Sequence, residues 1–301
     1  MPDSLEPSPL RESPIVCELL GLSARRPTRL TFSLARFAAH GGRLDHHGDG
    51  WGVAFFDGPD LRLYREPAPA AQSPLVQFLE RCGPASELVV SHIRRATRGA
   101  VALRNTHPFV RELGGRLHAF AHNGALEGLR ERRPLAGHRF RPVGDTDSEH
   151  AFCLLLEALA PLWDGGSPPL AARLARVAAF ARELRAFGPA NFLYADGEFL
   201  FAHGDRRRQR DGVIRPPGLW ALVRCCREAP DRTEAAGLRV EGDAQQVALL
   251  ASVPLSDEDW RPLAEGEILV LERGAIVGRR PAGGAAPTGS VPPSSEGGRP
   301  S

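Results

Sequence analysis

The sequence predicts a layered α+β domain, with helices packed on mostly antiparallel sheets. Three observations lead there. Short apolar runs of strand type lie at both ends of the chain, and between them sit two long stretches of helical period. Neighbouring strand runs are joined by tight turns, which makes antiparallel pairs. The order is strands, two helices, then strands again, which fits a layered α+β domain better than a repeating βαβ pattern.

Cys17–Ser23 reads as the first strand. Thr28–His40 reads as a helix, with Leu30, Leu34 and Phe37 on one face and Gly41 and Gly42 as its stop. Trp51–Phe56 and Leu61–Tyr64 flank the turn sequence DGPD and predict a hairpin. Pro74–Cys82 is a short helix and Leu88–Ile93 a strand. Phe109–Leu113 and Leu117–His122 flank Gly114 and Gly115 as a second hairpin. Asp147–Ala160 and Pro169–Phe187 are the two long helices. Strands resume at Phe192–Tyr194, Phe199–Ala202, Leu219–Val223, Val247–Ser252, Ile268–Leu271 and Ile276–Val277. Residues 1–16 are polar and Pro-rich, residues 281–301 are rich in Pro, Gly and Ser, and such segments bury too little apolar surface to offset their ordering entropy. They are expected to be disordered, with one domain over 17–280.

The 301 residues are 42% hydrophobic and 25% charged, an ordinary globular balance. The 38 basic residues, all Arg, against 36 acidic ones leave a net charge of +2. That argues against a nucleic-acid binder, which concentrates a basic excess. No run approaches the roughly 18 apolar residues of a membrane span, and the leading residues do not form a secretory signal. Five cysteines without a CxxC pair point to a reducing cytoplasm rather than a disulfide framework.

Several clusters could carry chemistry. Asp45, His46, His47 and Asp49 are of metal-ligand type but sit in a Gly-rich turn at no standard spacing. His118 and His122 would be about 13 Å apart on a strand, too far to share an ion. With His92 and His107 they read as buried, hydrogen-bonded structural residues. No metal or cofactor is therefore expected. Arg94 ends a strand in the run HIRRAT, which also contains Thr97. A guanidinium there can grip a carboxylate through two parallel hydrogen bonds, or simply form a surface ion pair. Asn123-Gly124 is either a tight hairpin turn or an amide and a backbone N–H aimed at one oxygen. In GDTDSE, Thr146 and Glu149 form a capping box and Asp147 falls in the first helical turn. The helix dipole stabilises a carboxylate there, which suits a substrate ammonium. Cys17 is either a small buried apolar residue or a nucleophile. The second role requires residues 1–16 to be absent, through cleavage or through a true start at Val16. Cys17 would then carry an α-amine of pKa about 7.7–8.0, able to act as base for its own thiol.

Taken in order, the segments VCELLGLSA, GDGWGVAFF, SHIRRATRGAVALRNTHPF, AHNGALEG and FRPVGDTDSEHAFCLLLEAL resemble the class II glutamine amidotransferases of the N-terminal-nucleophile superfamily. The likeness is strongest to their small stand-alone branch, which includes YafJ-like proteins and the ergothioneine-pathway amidohydrolase. It runs from residue 16 to about 160. The resemblance implies a four-layer αββα sandwich and a role for each residue. Cys17 would attack the side-chain amide of glutamine, and Asn123 and Gly124 would hold the oxyanion. Arg94 would bind the α-carboxylate and Asp147 the α-ammonium. Thr97 would line the site, and Gly52, in a turn, would let backbone approach the nucleophile. Arg98 follows Thr97, as in the stand-alone branch, where synthase-linked members often have His. The residues after Asp147 are needed to finish the sandwich, so ammonia would pass to a separate synthase or acceptor subunit. Two other readings stand beside this one. The chain could hydrolyse another γ-glutamyl amide, or it could be a retired fold used for protein interaction.

Overall fold

The computed structural model describes residues 18–32, 49–94, 99–209, 211–225, 234–235, 238–241 and 245–282. The first half of the chain supplies β1 (Glu18–Phe32), β2 (Trp51–Asp57), β3 (Asp60–Glu66), α1 (Pro74–Cys82), β4 (Ala85–Ile93), β5 (Phe109–Leu113) and β6 (Arg116–Asn123). Then come α2 (Leu129–Arg132), α3 (Asp147–Trp163) and α4 (Leu170–Arg185). The second half adds β7 (Asn191–Ala195), β8 (Leu200–Gly204), β9 (Arg207–Arg208), β10 (Ile214–Arg215) and β11 (Trp220–Cys225). It ends with β12 (Glu234–Ala235), β13 (Leu238–Glu241), β14 (Gln246–Ala251), β15 (Arg261–Pro262), β16 (Glu267–Glu272) and β17 (Ala275–Arg280).

Two sheets form. The first has the order β15-β11-β14-β1-β4-β2-β3, with β13 also pairing β1 and β12 beside β13. The second runs β17-β16-β8-β7-β6-β5. The pairs in both are antiparallel.

The alternation of side chains along each strand creates the layers. In β1, Leu19 points between the sheets, where it joins a core with Ala54, Val90, Ala121, Leu193 and Leu269. Leu20 and Leu22 point the other way and pack with Trp51, Phe55 and the α1 residues Val76 and Leu79. On the far side of the second sheet, Phe109, Phe120, Phe192 and Phe201 meet Phe152, Leu155, Val177 and Phe180 of α3 and α4. Three cores between four layers make the αββα sandwich. The middle core is rich in Ala, and a Cβ added to Gly21 would stand 2.9 Å from Leu200 Cδ2, so the sheets lie close together.

The hairpins, α1 and the two long helices fall where the pattern placed them. The helix expected over Thr28–His40 does not. Residues 28–32 continue β1, with Arg29 opposite Glu241 and Phe32 opposite Leu238. Thr28, Leu30 and Phe32 also alternate, and pairing with a distant strand decides between the two periods. Residues 33–40 lie outside the described residues, as do the lead and all but the first two residues of the tail. Among the described residues, no helix is long and apolar enough to cross a membrane.

Candidate active site

β1 opens at Glu18, the residue after Cys17. Cys17 and Thr97 lie outside the described residues, as does the Asp45–His47 cluster. The surroundings of the β1 start are well defined. Glu18 is buried and takes a 3.1 Å bond from Arg207, itself buried, which also donates to the Ser252 carbonyl. Leu19 donates its N–H to Ser252 Oγ at 2.9 Å, and Ser252 returns its own N–H to the Leu19 carbonyl at 3.1 Å. Ser252, just past β14, thereby fixes the first turn of chain after Cys17.

Ser252 Oγ also receives the Asn123 side-chain Nδ2 at 3.2 Å. Asn123 closes β6 in the other sheet. Its Oδ1 lies 2.9 Å from His92 Nε2, on β4. Its backbone carbonyl takes a 3.4 Å bond from Asn191, whose side chain is tied to Arg206 and Asp205. Gly124 follows with φ +152, and a Cβ there would stand 1.8 Å from the Pro189 carbonyl oxygen. Only glycine fits such a place. Asn123-Gly124 is not a two-residue hairpin turn, because the chain leaves it for α2 and not for a neighbouring strand.

Arg94 follows β4 and is buried. Its N–H bonds the Gly50 carbonyl at 2.7 Å, and its guanidinium reaches the carbonyls of Asp49, Gly99 and Ala100, each at 3.4 Å. These are long bonds, which set the plane of the guanidinium. Asn105, fully buried, connects this loop to the helix start: it donates to the Ala100 carbonyl and accepts the Asp145 N–H. Asp147 is the first residue of α3 and is half-buried. Its carboxylate accepts the N–H of Leu126 at 2.7 Å and of Ser148 at 2.8 Å, which ties the helix start to the loop after Gly124. Thr146 caps the helix as expected, accepting from Glu149 N–H. Glu149 does not close the capping box. It is drawn instead to Arg111 and the Gly144 N–H.

Gly52 lies inside β2, not in a turn. A Cβ there would stand 2.3 Å from the His107 carbonyl oxygen, so its bareness admits the backbone of residue 107. His118 bonds Tyr194 and the Leu113 carbonyl, and His122 bonds Ser148, as structural histidines do. His92 is different, since its partner is the Asn123 amide. The His107 ring lies tilted against His92, with centroids 4.2 Å apart, and against Phe109 at 4.5 Å, and neither of its ring nitrogens has a hydrogen-bond partner among the described residues. The expectation that all four are hydrogen-bonded therefore fails at His107. Burial drives the pKa of His92 down to about 3 and that of His107 well below the usual value. Both rings are neutral. Glu18, Asn191, Arg207 and Ser252 carry no sequence signal, because their partners lie far along the chain.

The sequence pattern described as class-II glutamine amidotransferases matches residues 16–288. YafJ of Escherichia coli K12 is 44% identical over 253 residues, covering 84% of this chain and 96% of that one. A 2.0 Å crystal structure of a predicted glutamine amidotransferase from Pseudomonas aeruginosa superposes with a TM-score of 0.65 at 34% identity. It covers 87% of this chain and all of the other. Glutamine phosphoribosylpyrophosphate amidotransferase from B. subtilis shares the fold at 16% identity and a TM-score of 0.56, covering 88% of this chain and 49% of that one.

Proposed function

We propose that this chain, which belongs to the class II glutamine amidotransferases, hydrolyses the side-chain amide of glutamine with Cys17 as nucleophile. The family is one of enzymes. In the proposed reaction the Cys17 α-amine takes the thiol proton, and Sγ attacks the amide carbon. The oxyanion is held by Asn123 Nδ2 and the Gly124 N–H. Collapse breaks the C–N bond, the α-ammonium returns the proton to the leaving nitrogen, and ammonia departs from a glutamyl thioester. Water then releases glutamate and restores the thiol. Arg94 grips the α-carboxylate and Asp147 the α-ammonium, and Thr97 lines the pocket. Gly52 serves more remotely, by admitting the residue 107 backbone beneath the site. The ammonia passes to a separate synthase or acceptor subunit.

The observation that carries this reading is the convergence on Ser252. Its hydroxyl joins the chain two residues past Cys17 to the side-chain amide of Asn123, across the gap between the sheets. A second reading rests on the clamp. Arg94 and Asp147 touch only the glutamyl half, so other γ-glutamyl amides fit the same chemistry.

The test compares two proteins, one beginning at Cys17 after removal of an initiator Met and one carrying residues 1–16 with cleavage blocked. An amide nitrogen is not basic, so only the first should release ammonia from glutamine or from γ-glutamyl-p-nitroanilide. Equal rates in both, with the lead intact by mass, would overturn the proposal.

A further inference from the structure

We infer that His92 is a positioning residue for the oxyanion site, holding the Asn123 amide so that its N–H group, not its oxygen, faces the substrate. The inference rests on the proposed oxyanion role of Asn123. An Asn amide has two nearly identical ends, and only the nitrogen end can stabilise an oxyanion. Two contacts define which end points where. His92 Nε2 lies 2.9 Å from Oδ1, and Nδ2 lies 3.2 Å from Ser252 Oγ.

The buried ring settles the choice of end. His92 Nδ1 has no hydrogen-bond partner among the described residues. A neutral imidazole carries one proton, so it sits either on Nδ1 or on Nε2. On Nδ1 it would be a buried N–H with no acceptor, the rarer and costlier kind of orphan. On Nε2 it bonds Asn123 Oδ1 and leaves only a lone pair unpaired. Burial keeps the ring neutral, with its pKa brought down to about 3. A neutral Nε2–H ring can only donate towards Asn123, so it accepts the oxygen end and refuses the nitrogen end. The His107 ring lies against His92, with centroids 4.2 Å apart, and the His92 side chain is 1% exposed. Ser252 Oγ accepts from the nitrogen end, which fixes that end on the side away from His92.

Two variants of equal polarity separate this role from a packing role. In His92→Gln the side-chain nitrogen reaches the place of Nε2. In His92→Asn it reaches only the place of Nδ1. Steady-state hydrolysis of γ-glutamyl-p-nitroanilide should show kcat reduced roughly tenfold in His92→Asn and largely restored in His92→Gln, with KM within twofold of wild type in both. In an Asn123→Ala background, His92→Asn should cause no further loss. Independently of activity, long-range proton–nitrogen spectra of the intact protein should show the His92 proton on Nε2. A proton on Nδ1, equal losses in the Gln and Asn variants, or full additivity with Asn123→Ala would overturn the inference. An unchanged kcat in Asn123→Ala alone would instead overturn the oxyanion reading and this inference with it.

Discussion

The two halves of the site are built differently. At the Asn123 half, the side-chain amide sits at the end of a strand and is bonded at 2.9 and 3.2 Å to residues on the facing sheet. His92 and Ser252, these two partners, are both buried. At the Arg94–Asp147 half, the guanidinium is steadied by three loop carbonyls at 3.4 Å, and the carboxylate is half-buried at a helix start. Groups on rigid strands keep their place to within a fraction of an ångström, whereas groups on loops can adjust. In the proposed chemistry the first half acts on the amide and the second reads the amino-acid end. Under that proposal the bond-breaking end is the stiff one, and the recognising end is the adaptable one.

That contrast can be broken in order of expected effect. Asn123→Ala should lower kcat roughly 10²–10³-fold with little change in KM, because the oxyanion exists only along the reaction path. Steady-state kinetics on glutamine would show it, and a pure KM effect would move Asn123 to the recognition half. Arg94→Lys should do the opposite. An ammonium cannot reproduce a bidentate grip, and losing such a contact costs about 1.5–3 kcal/mol, a rise in KM of roughly 10- to 100-fold. Asp147→Asn should raise KM less, by up to about tenfold, since water reaches its half-buried carboxylate. A large kcat effect from either would erase the division between the halves.

A separate effect falls on stability. Burial lowers the pKa of His92 to about 3 and those of His118 and His203 to about 4. Below the ordinary value of 6.5 the unfolded chain binds protons that the folded chain refuses. Stability is therefore complete above about pH 7 and falls as pH drops towards 4. At pH 5 each such group costs roughly 2 kcal/mol. The thermal midpoint should fall by several degrees between pH 7.5 and 5.5, and His118→Gln should flatten the slope. A midpoint independent of pH over that range would show these rings exposed to protons.

The elements with local signals were legible. The DGPD turn and the Gly114-Gly115 turn mark their boundaries within a few residues, and each marked its element. Five motifs in order led to the family. Thr28–Phe32 was misread because its apolar spacing suits two periods, and only the distant strand at 238–241 decides. The site residues that came from motifs were named, but their supports were not. Glu18 meets Arg207 and Leu19 meets Ser252 across most of the chain, and no local pattern announces such a partner. His92 was legible as a buried histidine, yet its partner was not, because that partner stands on another sheet. Gly52 looked like a turn residue, and only the approach of the His107 carbonyl explains it.

Asn123 belongs to one sheet, while His92 and Ser252 belong to the other or to its end. A strand that slipped by one residue would move about 3.3 Å and part both bonds at once. The site is thus a gauge of how the sheets are stacked. The second sheet alone would hold the amide without His92 or Ser252, and the first would hold those two residues without the amide. In the proposed chemistry, a newly made chain therefore gains its oxyanion site only when its two sheets have docked in register.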